Sequence, residues 1–320
     1  MDNKIVLITG GAGFIGSNLA KHIEKKFSNV KIIIFDIFNN NEKFKNGNNK
    51  YLGSYKNISN FKGEIFTGDI TKKADLIEME KYNFDYIFHL AAISDTRAEN
   101  ENEVLINNLN SFYSIINLAE KTNAKLIYAS SAATYGSKLS QIQSVGTENP
   151  DNVYGFSKLM MDNFTFSYLN NNPKIDLIGL RYFNVYGPGE KQKEKTSSTI
   201  LQFAHQILYE DGPILFEGSD KIFRDFIYID DVIEFTIKAA LSSKVGVYNV
   251  GTGISRSFLE VAQILKKSLN SKKTIKYIKN PYKSGYQYFT KADVKKTVID
   301  LDYKAKESLE SGIQKYIKLF

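Results

Sequence analysis

The run Ile5-Val-Leu-Ile-Thr9, followed at once by Gly10-Gly-Ala-Gly13-Phe-Ile-Gly16, constrains the fold more than any other feature of the chain. The first five residues read as a buried strand, and glycines spaced three apart then open an amphipathic stretch. A strand that turns sharply into a helix needs a residue without Cβ at the turn, and Gly10 provides it. Gly13 lets backbone amides approach an anion at the helix N-terminus, and Gly16 lets helix and strand pack closely. The anion that suits such a turn is the pyrophosphate of a dinucleotide. Asp36 stands 20 residues past Gly16, at the end of the next apolar run, where a carboxylate accepts from the adenosine ribose hydroxyls and favours NAD. Lys43 lies within reach of a 2′-phosphate and favours NADP. Asp69, in Gly68-Asp-Ile70, reads either as a partner for adenine or as a loop carboxylate capping a helix.

Further strand-like runs at Lys31 to Asp36, Glu64 to Gly68, Tyr86 to Leu90 and Lys125 to Ser130 alternate with helical stretches from about Phe14 and near Val104 to Lys121. That alternation predicts an α/β fold with a Rossmann-type doubly wound parallel sheet, covered by helices on both faces. The polar segment 39–60, rich in Asn and Gly, is too long for a turn and reads as a surface excursion flanking the cofactor. Past Pro173 come a strand from Asp176 to Arg181, a Gly/Pro turn from Tyr186 to Gly189, and a lysine-rich loop. A helix from about Ser197 to Tyr209, a strand-like stretch from Ile214 to Glu217 and a closing helix near Glu307 to Leu319 follow. These elements predict a smaller mixed α/β substrate-binding lobe of about 181–225 plus 252–320. The dinucleotide-binding domain then comprises 1–180 plus about 226–251.

Composition removes several classes of chemistry. The chain has no cysteine, so disulfides, thiolate nucleophiles and zinc-thiolate sites are excluded, and its three scattered histidines predict no metal site. The formal charge of +7 comes from 42 basic and 35 acidic residues that are interspersed, which suits a phosphate-bearing small ligand and predicts no nucleic-acid partner. No apolar run approaches a membrane span, and Met1 to Lys4 leads straight into the first strand, so a cytoplasmic protein is expected.

Tyr154-Gly-Phe-Ser-Lys158 puts Tyr and Lys at i and i+4, on one face of a helix and one turn apart. A phenol with a pKa near 10 is a poor base at neutral pH, and a nearby ammonium is expected to lower it while also holding a nicotinamide ribose. The pair follows Tyr128-Ala-Ser-Ser131-Ala-Ala-Thr134-Tyr-Gly136, in which a strand ends in hydroxyls at the sheet edge where open α/β folds bind ligands. Ser131 is expected to bond the substrate oxygen, with Thr134 sharing the task and Ser130 satisfied within the strand end. The small residues after His89, Leu90-Ala-Ala-Ile-Ser94, suit a wall for pyrophosphate and nicotinamide, and His89 itself reads as a core-edge residue.

The glycine turn, Ser131 and Tyr154-x-x-x-Lys158 together resemble the extended short-chain dehydrogenase/reductases that modify nucleotide sugars. Arg181-Tyr-Phe-Asn-Val-Tyr-Gly-Pro188, Leu215-Phe-Glu-Gly-Ser219, Arg224-Asp-Phe226, Tyr248-Asn-Val-Gly-Thr-Gly253 and Tyr286-Gln-Tyr-Phe-Thr290 narrow the likeness to the ADP-L-glycero-D-manno-heptose 6-epimerase family, from Lys4 to about Ile317. The resemblance implies bound NADP, with NAD the alternative, and inversion of C6 of ADP-heptose through a transient ketone, for lipopolysaccharide-type precursor synthesis. It implies that Lys193 is a second acid/base opposite Tyr154; the run Lys191, Lys193, Lys195 also reads as a solvated loop or a diphosphate clamp.

By the same likeness Phe14, Ile15, Ile37, Lys43, Lys56, Asn107, Val185 and the wall Leu90, Ala91, Ala92, Ile93 and Ser94 bind the cofactor. Asn184 and Val185 line the sugar pocket, Phe216, Glu217, Gly218 and Ser219 contact the nucleotide, and Arg224 pairs with the diphosphate. Lys195, Gln202 and Tyr286 complete the substrate set. Ile37 stands where that family has Asn, losing a polar contact near the ribose or its phosphate, and Leu90 replaces a polar residue. A homo-oligomer is also implied.

Two alternatives stay open. A UDP-hexose 4-epimerase uses the same Ser, Tyr and Lys without needing Lys193, and a catalytically silent nicotinamide sensor would keep only the fold. Dehydration is disfavoured because Ala132 and Ala133 occupy the positions of its acid and second proton-transfer group.

Overall fold

The computed structural model describes residues 1–137, 144–171, 173–281 and 286–320. Strands β1 (Ile5–Thr9), β2 (Lys31–Asp36), β3 (Glu64–Thr67), β4 (Tyr86–His89), β5 (Lys125–Ser131) and β6 (Leu177–Tyr182) fall where the apolar runs predict them. With β10 (Gly246–Val250) they form one sheet in the order β10-β6-β5-β4-β1-β2-β3, parallel throughout. The order reverses between β1 and β4, and Thr9 is in register with both Phe35 and His89, so the carboxyl ends of these strands open a crevice at that switch.

Successive β1 residues serve opposite faces. Val6 and Ile8 join a core with Leu19 and Ile23 of helix α1 (Phe14–Lys26), whereas Leu7 joins Ile33, Phe112 and Met161 on the other side. This is the Rossmann-type α/β architecture. The second face is covered by α2 (Lys73–Ile77), by α4 (Ser111–Thr122), the later part of one long helix that begins as α3 (Glu101–Leu105), and by α5 (Val153–Asn170). A π-helical turn, Ile106–Asn110, joins α3 to α4.

The remaining strands are short. β7 (Asn184–Tyr186), β9 (Phe223–Tyr228) and β11 (Ser255–Ser257) form a three-stranded sheet, and β8 (Ile214–Phe216) pairs with β12 (Lys276–Ile278). Around them lie α6 (Thr199–Tyr209), α7 (Ile229–Leu241), α8 (Phe258–Ser268), α9 (Lys295–Leu301) and α10 (Leu309–Ile317). One apolar cluster passes without a break from Ile8 and Phe88 through Ile227 to Val261, Leu265 and Ile313, so these elements share a core with the large sheet. Among the described residues no helix is long and apolar enough to cross a membrane.

Candidate active site

The crevice at the sheet switch is a cleft of about 440 Å³, and its walls come from the carboxyl ends of β1 to β6. Gly10 takes φ +70°, and a Cβ there would lie 2.6 Å from the Ala91 amide nitrogen, so the ends of β1 and β4 meet more closely than a side chain permits. Helix α1 starts at Gly13 with no side-chain cap, leaving its first amides to an anion in the cleft. Gly10, Gly13, Phe14, Ile15 and Gly16 all line this end. Such a cradle fits a dinucleotide pyrophosphate.

At the far end of β2, Asp36 and Ile37 line the cleft. Asp36 Oδ2 accepts from the Ala12 amide and Oδ1 from the Phe38 amide, each at 2.9 Å, so the carboxylate is fixed before any ribose arrives. Burial raises its pKa, against the amide bonds that lower it. Lys43 and Lys56 are exposed and do not line the cleft. The excursion turns back on itself at the bridge between Lys43 and Asn49, and presents Lys50, Tyr51, Leu52 and Gly53 to the cleft instead. Lys50 is paired there with Glu103 at 2.7 Å. Nothing periodic in the Asn-rich stretch signals which lysine turns inward. Asp69 lines the cleft, and its Oδ1 accepts from the Thr71 amide and hydroxyl, as a loop carboxylate does.

Leu90, Ala91, Ala92, Ile93 and Ser94 form the opposite wall, with Asn107 beside them. The π-helical turn presents two consecutive asparagines to that wall: the Ile93 amide donates to Asn107 Oδ1 at 3.1 Å and to Asn108 Oδ1 at 2.8 Å. Asn108 Nδ2 donates in turn to Ser157 Oγ at 3.0 Å, tying the wall to α5. Asn108 and Ser157 were invisible to sequence reasoning, since an extra residue in a helical turn leaves no mark on apolar periodicity.

Helix α5 carries the central pair. Asn152 caps it by accepting from the Gly155 amide at 2.9 Å, and Gly155 lets the first turn lie on the 3₁₀ turn Ala132–Tyr135, where a Cβ would sit 2.5 Å from the Ala133 carbonyl oxygen. Tyr154, Lys158 and Ser131 thereby line one cleft. Burial pushes the Tyr154 phenol above its ordinary value, and its hydrogen bond with Ser131 counters that rise. Here the sequence expectation is refined: the lowering group is Ser131, while Lys158 Nζ stands 6.0 Å from the phenol ring centroid. Burial draws Lys158 down to about 8, against the raising pull of the Asp162 carboxylate. His89 is buried, with Nδ1 2.8 Å from Thr9 Oγ1, and burial drives it to about 3, so its ring is neutral near pH 7. Ser130 donates to Asp162 at 2.8 Å, a satisfied hydroxyl as expected. Thr134 differs from expectation: it is fully buried, donates to the Ser131 carbonyl at 2.9 Å and lies outside the cleft lining.

Lys193 reaches the same cleft from a separate element, the 3₁₀ segment Glu190–Thr196, and its ammonium lies 5.8 Å from the Phe14 ring centroid. Burial lowers it, against the pull of Glu190. Glu190 is fully buried and holds both ends of this loop, accepting from the Gly187 amide at 3.1 Å and from Ser198 Oγ at 2.8 Å. Asn184, Val185 and the start of α6 complete the lining.

The other residues of the expected substrate set lie outside it. Lys195 and Gln202 are exposed, with Gln202 Nε2 donating to the Ser197 carbonyl at 2.7 Å. Phe216, Arg224 and Tyr286 gather elsewhere: the Phe216 and Tyr286 rings are 5.8 Å apart, and the Arg224 guanidinium lies between Tyr286 and Phe258. Arg224 is buried, donates to the Phe223 and Gln287 carbonyls, and is lowered by burial to about 10. Glu217 donates its amide to Ile278, Gly218 makes the left-handed turn, and the buried Ser219 Oγ has no hydrogen-bond partner among the described residues.

A model of the NAD dependent epimerase/dehydratase family matches residues 6–251. The fold is similar to that of ADP-L-glycero-D-manno-heptose-6-epimerase from Helicobacter pylori, with 43% identity over 99% of this chain and 96% of that one and a TM-score of 0.91. It is also similar to UDP-N-acetylglucosamine 4-epimerase from Methanobrevibacter ruminantium, with 26% identity over the whole of both chains and a TM-score of 0.85. UDP-glucuronic acid 4-epimerase from Bacillus cereus, solved with UDP-glucuronic acid and NAD, is 28% identical over 98% of this chain and 99% of that one, with a TM-score of 0.82. A glycine cradle, a hydroxyl-phenol-ammonium set on β5 and α5, and a family match over most of its length agree: the chain belongs to the NAD dependent epimerase/dehydratase family.

Proposed function

We propose that the chain is a nucleotide-sugar epimerase that inverts C6 of ADP-D-glycero-D-manno-heptose to the L-glycero form, with NADP or NAD held in the cleft. The observation that carries this reading is that Lys193 lines the same cleft as Tyr154 and Ser131, from an element of its own. Inverting C6 through a ketone returns the hydride to the other face of the carbon, and a second acid/base opposite Tyr154 handles the proton there, whereas a 4-epimerase that works with its tyrosine alone has no use for Lys193. The likeness to the Helicobacter pylori enzyme supports the choice of sugar.

When bound, the nicotinamide takes up a hydride and returns it. The chain's own residues do the rest. Gly10, Gly13 and the first amides of α1 hold the pyrophosphate, Asp36 the adenosine ribose, and Ala91, Ile93 and Asn107 the wall beneath the nicotinamide. Ser131 Oγ orients the reacting hydroxyl and bonds the Tyr154 phenol, which moves the proton at that oxygen. Lys158 supplies the positive charge that makes phenolate accessible. Lys193, whose burial makes its proton easier to release, serves the opposite face. Phe216 to Ser219, Arg224 and Tyr286 hold the nucleotide and diphosphate, with Lys195 and Gln202 at the loop and on α6. They belong to a substrate lobe of about 181–225 plus 252–320, and copies of the chain associate, which sedimentation velocity reads.

Purified protein offered ADP-heptose and, separately, UDP-galactose tests the proposal, alongside Lys193→Ala. Inversion of the heptose by the parent, lost in the variant while cofactor stays bound, is expected. Turnover of UDP-galactose at C4 that survives in Lys193→Ala would instead establish a 4-epimerase.

A further inference from the structure

We propose that Asp162 is a positioning residue for the reaction, holding the Lys158 side chain in its ammonium form beside Tyr154 through a buried group of four balanced charges. The inference rests on the reading that Tyr154 and Lys158 handle the proton. Tyr154, Lys158 and Asp162 follow one another at four-residue steps along α5, so they share the helix face turned to the sheet. Asp162 is fully buried, and three donors fix it: Tyr128 Oη to Oδ1 at 2.8 Å, Ser130 Oγ to Oδ2 at 2.8 Å and Arg181 Nε to Oδ2 at 2.7 Å. Arg181, also fully buried, pairs on its outer side with Glu148. Lys158, one turn before Asp162 on the buried face of α5, and Arg181 thus bring two positive charges to the two negative charges of Asp162 and Glu148.

The other groups around Lys158 cannot adjust this balance. His89 on β4 is neutral, Tyr128 on β5 donates to Asp162 as a phenol whose ionisation burial opposes, and Tyr154 with Ser131 forms the reacting pair. Removing the Asp162 charge leaves a net positive group out of water, a costly state. A guanidinium does not shed its proton in proteins, so the excess can be relieved only at Lys158. Lys158 already sits near 8 because burial works against it, and the Asp162 carboxylate is the group that holds it up. Losing that proton would remove the cation that makes the Tyr154 phenolate accessible. An aspartate that only anchored Arg181 would leave Lys158 untouched.

Asp162→Asn keeps the size of the side chain and removes the charge. The Lys158 titration is followed by NMR of the lysine side-chain carbons in the holoenzyme as purified, with Lys158→Arg assigning the signal. Its midpoint is expected to fall by about one pH unit or more, the scale of a lost neighbouring opposite charge. The alkaline limb of kcat is expected to move down with it, and Asp162→Glu to restore both. An unmoved midpoint in folded Asp162→Asn overturns the proposal, whatever happens to its melting temperature. Should that variant fail to fold, Glu148→Gln, at the edge of the same group, decides in its place: a smaller fall supports the proposal and no fall overturns it. The titration needs no substrate, so absence of heptose turnover by the parent would count against the proposed function alone.

Discussion

At Tyr154 burial and a neighbour pull in opposite directions, and the chemistry depends on the outcome. The phenol is pushed up by its surroundings and drawn down by Ser131, so near neutral pH it is protonated until a substrate hydroxyl and the Lys158 charge act on it. Tyr154→Phe keeps the ring and its packing but has no proton to move; turnover is expected to fall by roughly 10²–10⁴-fold, with the cofactor still released on denaturation in the parent amount. Residual activity within tenfold of the parent would remove Tyr154 from its role. The pH dependence follows from Lys158. An amine drawn down to about 8 is charged below that pH and neutral above it, so kcat should decline as pH rises through about 8 and not as pH falls through it. Stopped assays across pH 6 to about 9.5 read the limb. These residues were legible because their meaning is local: Tyr and Lys four apart, hydroxyls at a strand end. Asp162 and Arg181 were not, because a pair 19 residues apart in sequence, joining α5 to β6 at 2.7 Å, has no periodic signature.

Among elements, α5 sets the geometry of the central pair of the cleft. Its first turn rests on the 3₁₀ turn after β5 through Gly155, which lets Tyr154 meet Ser131. In Gly155→Ala the added methyl meets the Ala133 carbonyl, and the helix must move away. We expect kcat to drop at least tenfold with a stability loss of about 1–3 kcal/mol, the usual cost of overpacking; a parent-like kcat would show that the contact does not set the Tyr154 position. Strands β1 to β6 and α1 were readable because segments of four to seven residues with apolar centres alternate with helical stretches, and most of them are buried on both sheet faces. The three-residue strands β7, β11 and β12 were not, since so short a run carries no period to detect. Their pairing is decided by partners far along the chain. The same limit hid the inward turn of Lys50 in place of Lys43 and Lys56.

At the scale of the molecule, the continuous core beneath the large sheet and the smaller sheets predicts that both lobes melt together. Differential scanning calorimetry should give one transition with matching calorimetric and van't Hoff enthalpies, and added dinucleotide at about 100 times its Kd should stabilise the fold by about 2.7 kcal/mol. Two separated transitions would mean that the shared core does not couple the lobes. The cleft draws Tyr154 from α5 and Lys193 from the segment Glu190–Thr196, and the proposed inversion assigns one proton transfer to each. The most direct measurement follows deuterium placed at C6 of ADP-D-glycero-D-manno-heptose through one round of turnover by the purified protein, with no dinucleotide added. The L-glycero product is expected to keep its deuterium at C6. Loss of the label to solvent, or no inversion at all, contradicts the proposed function.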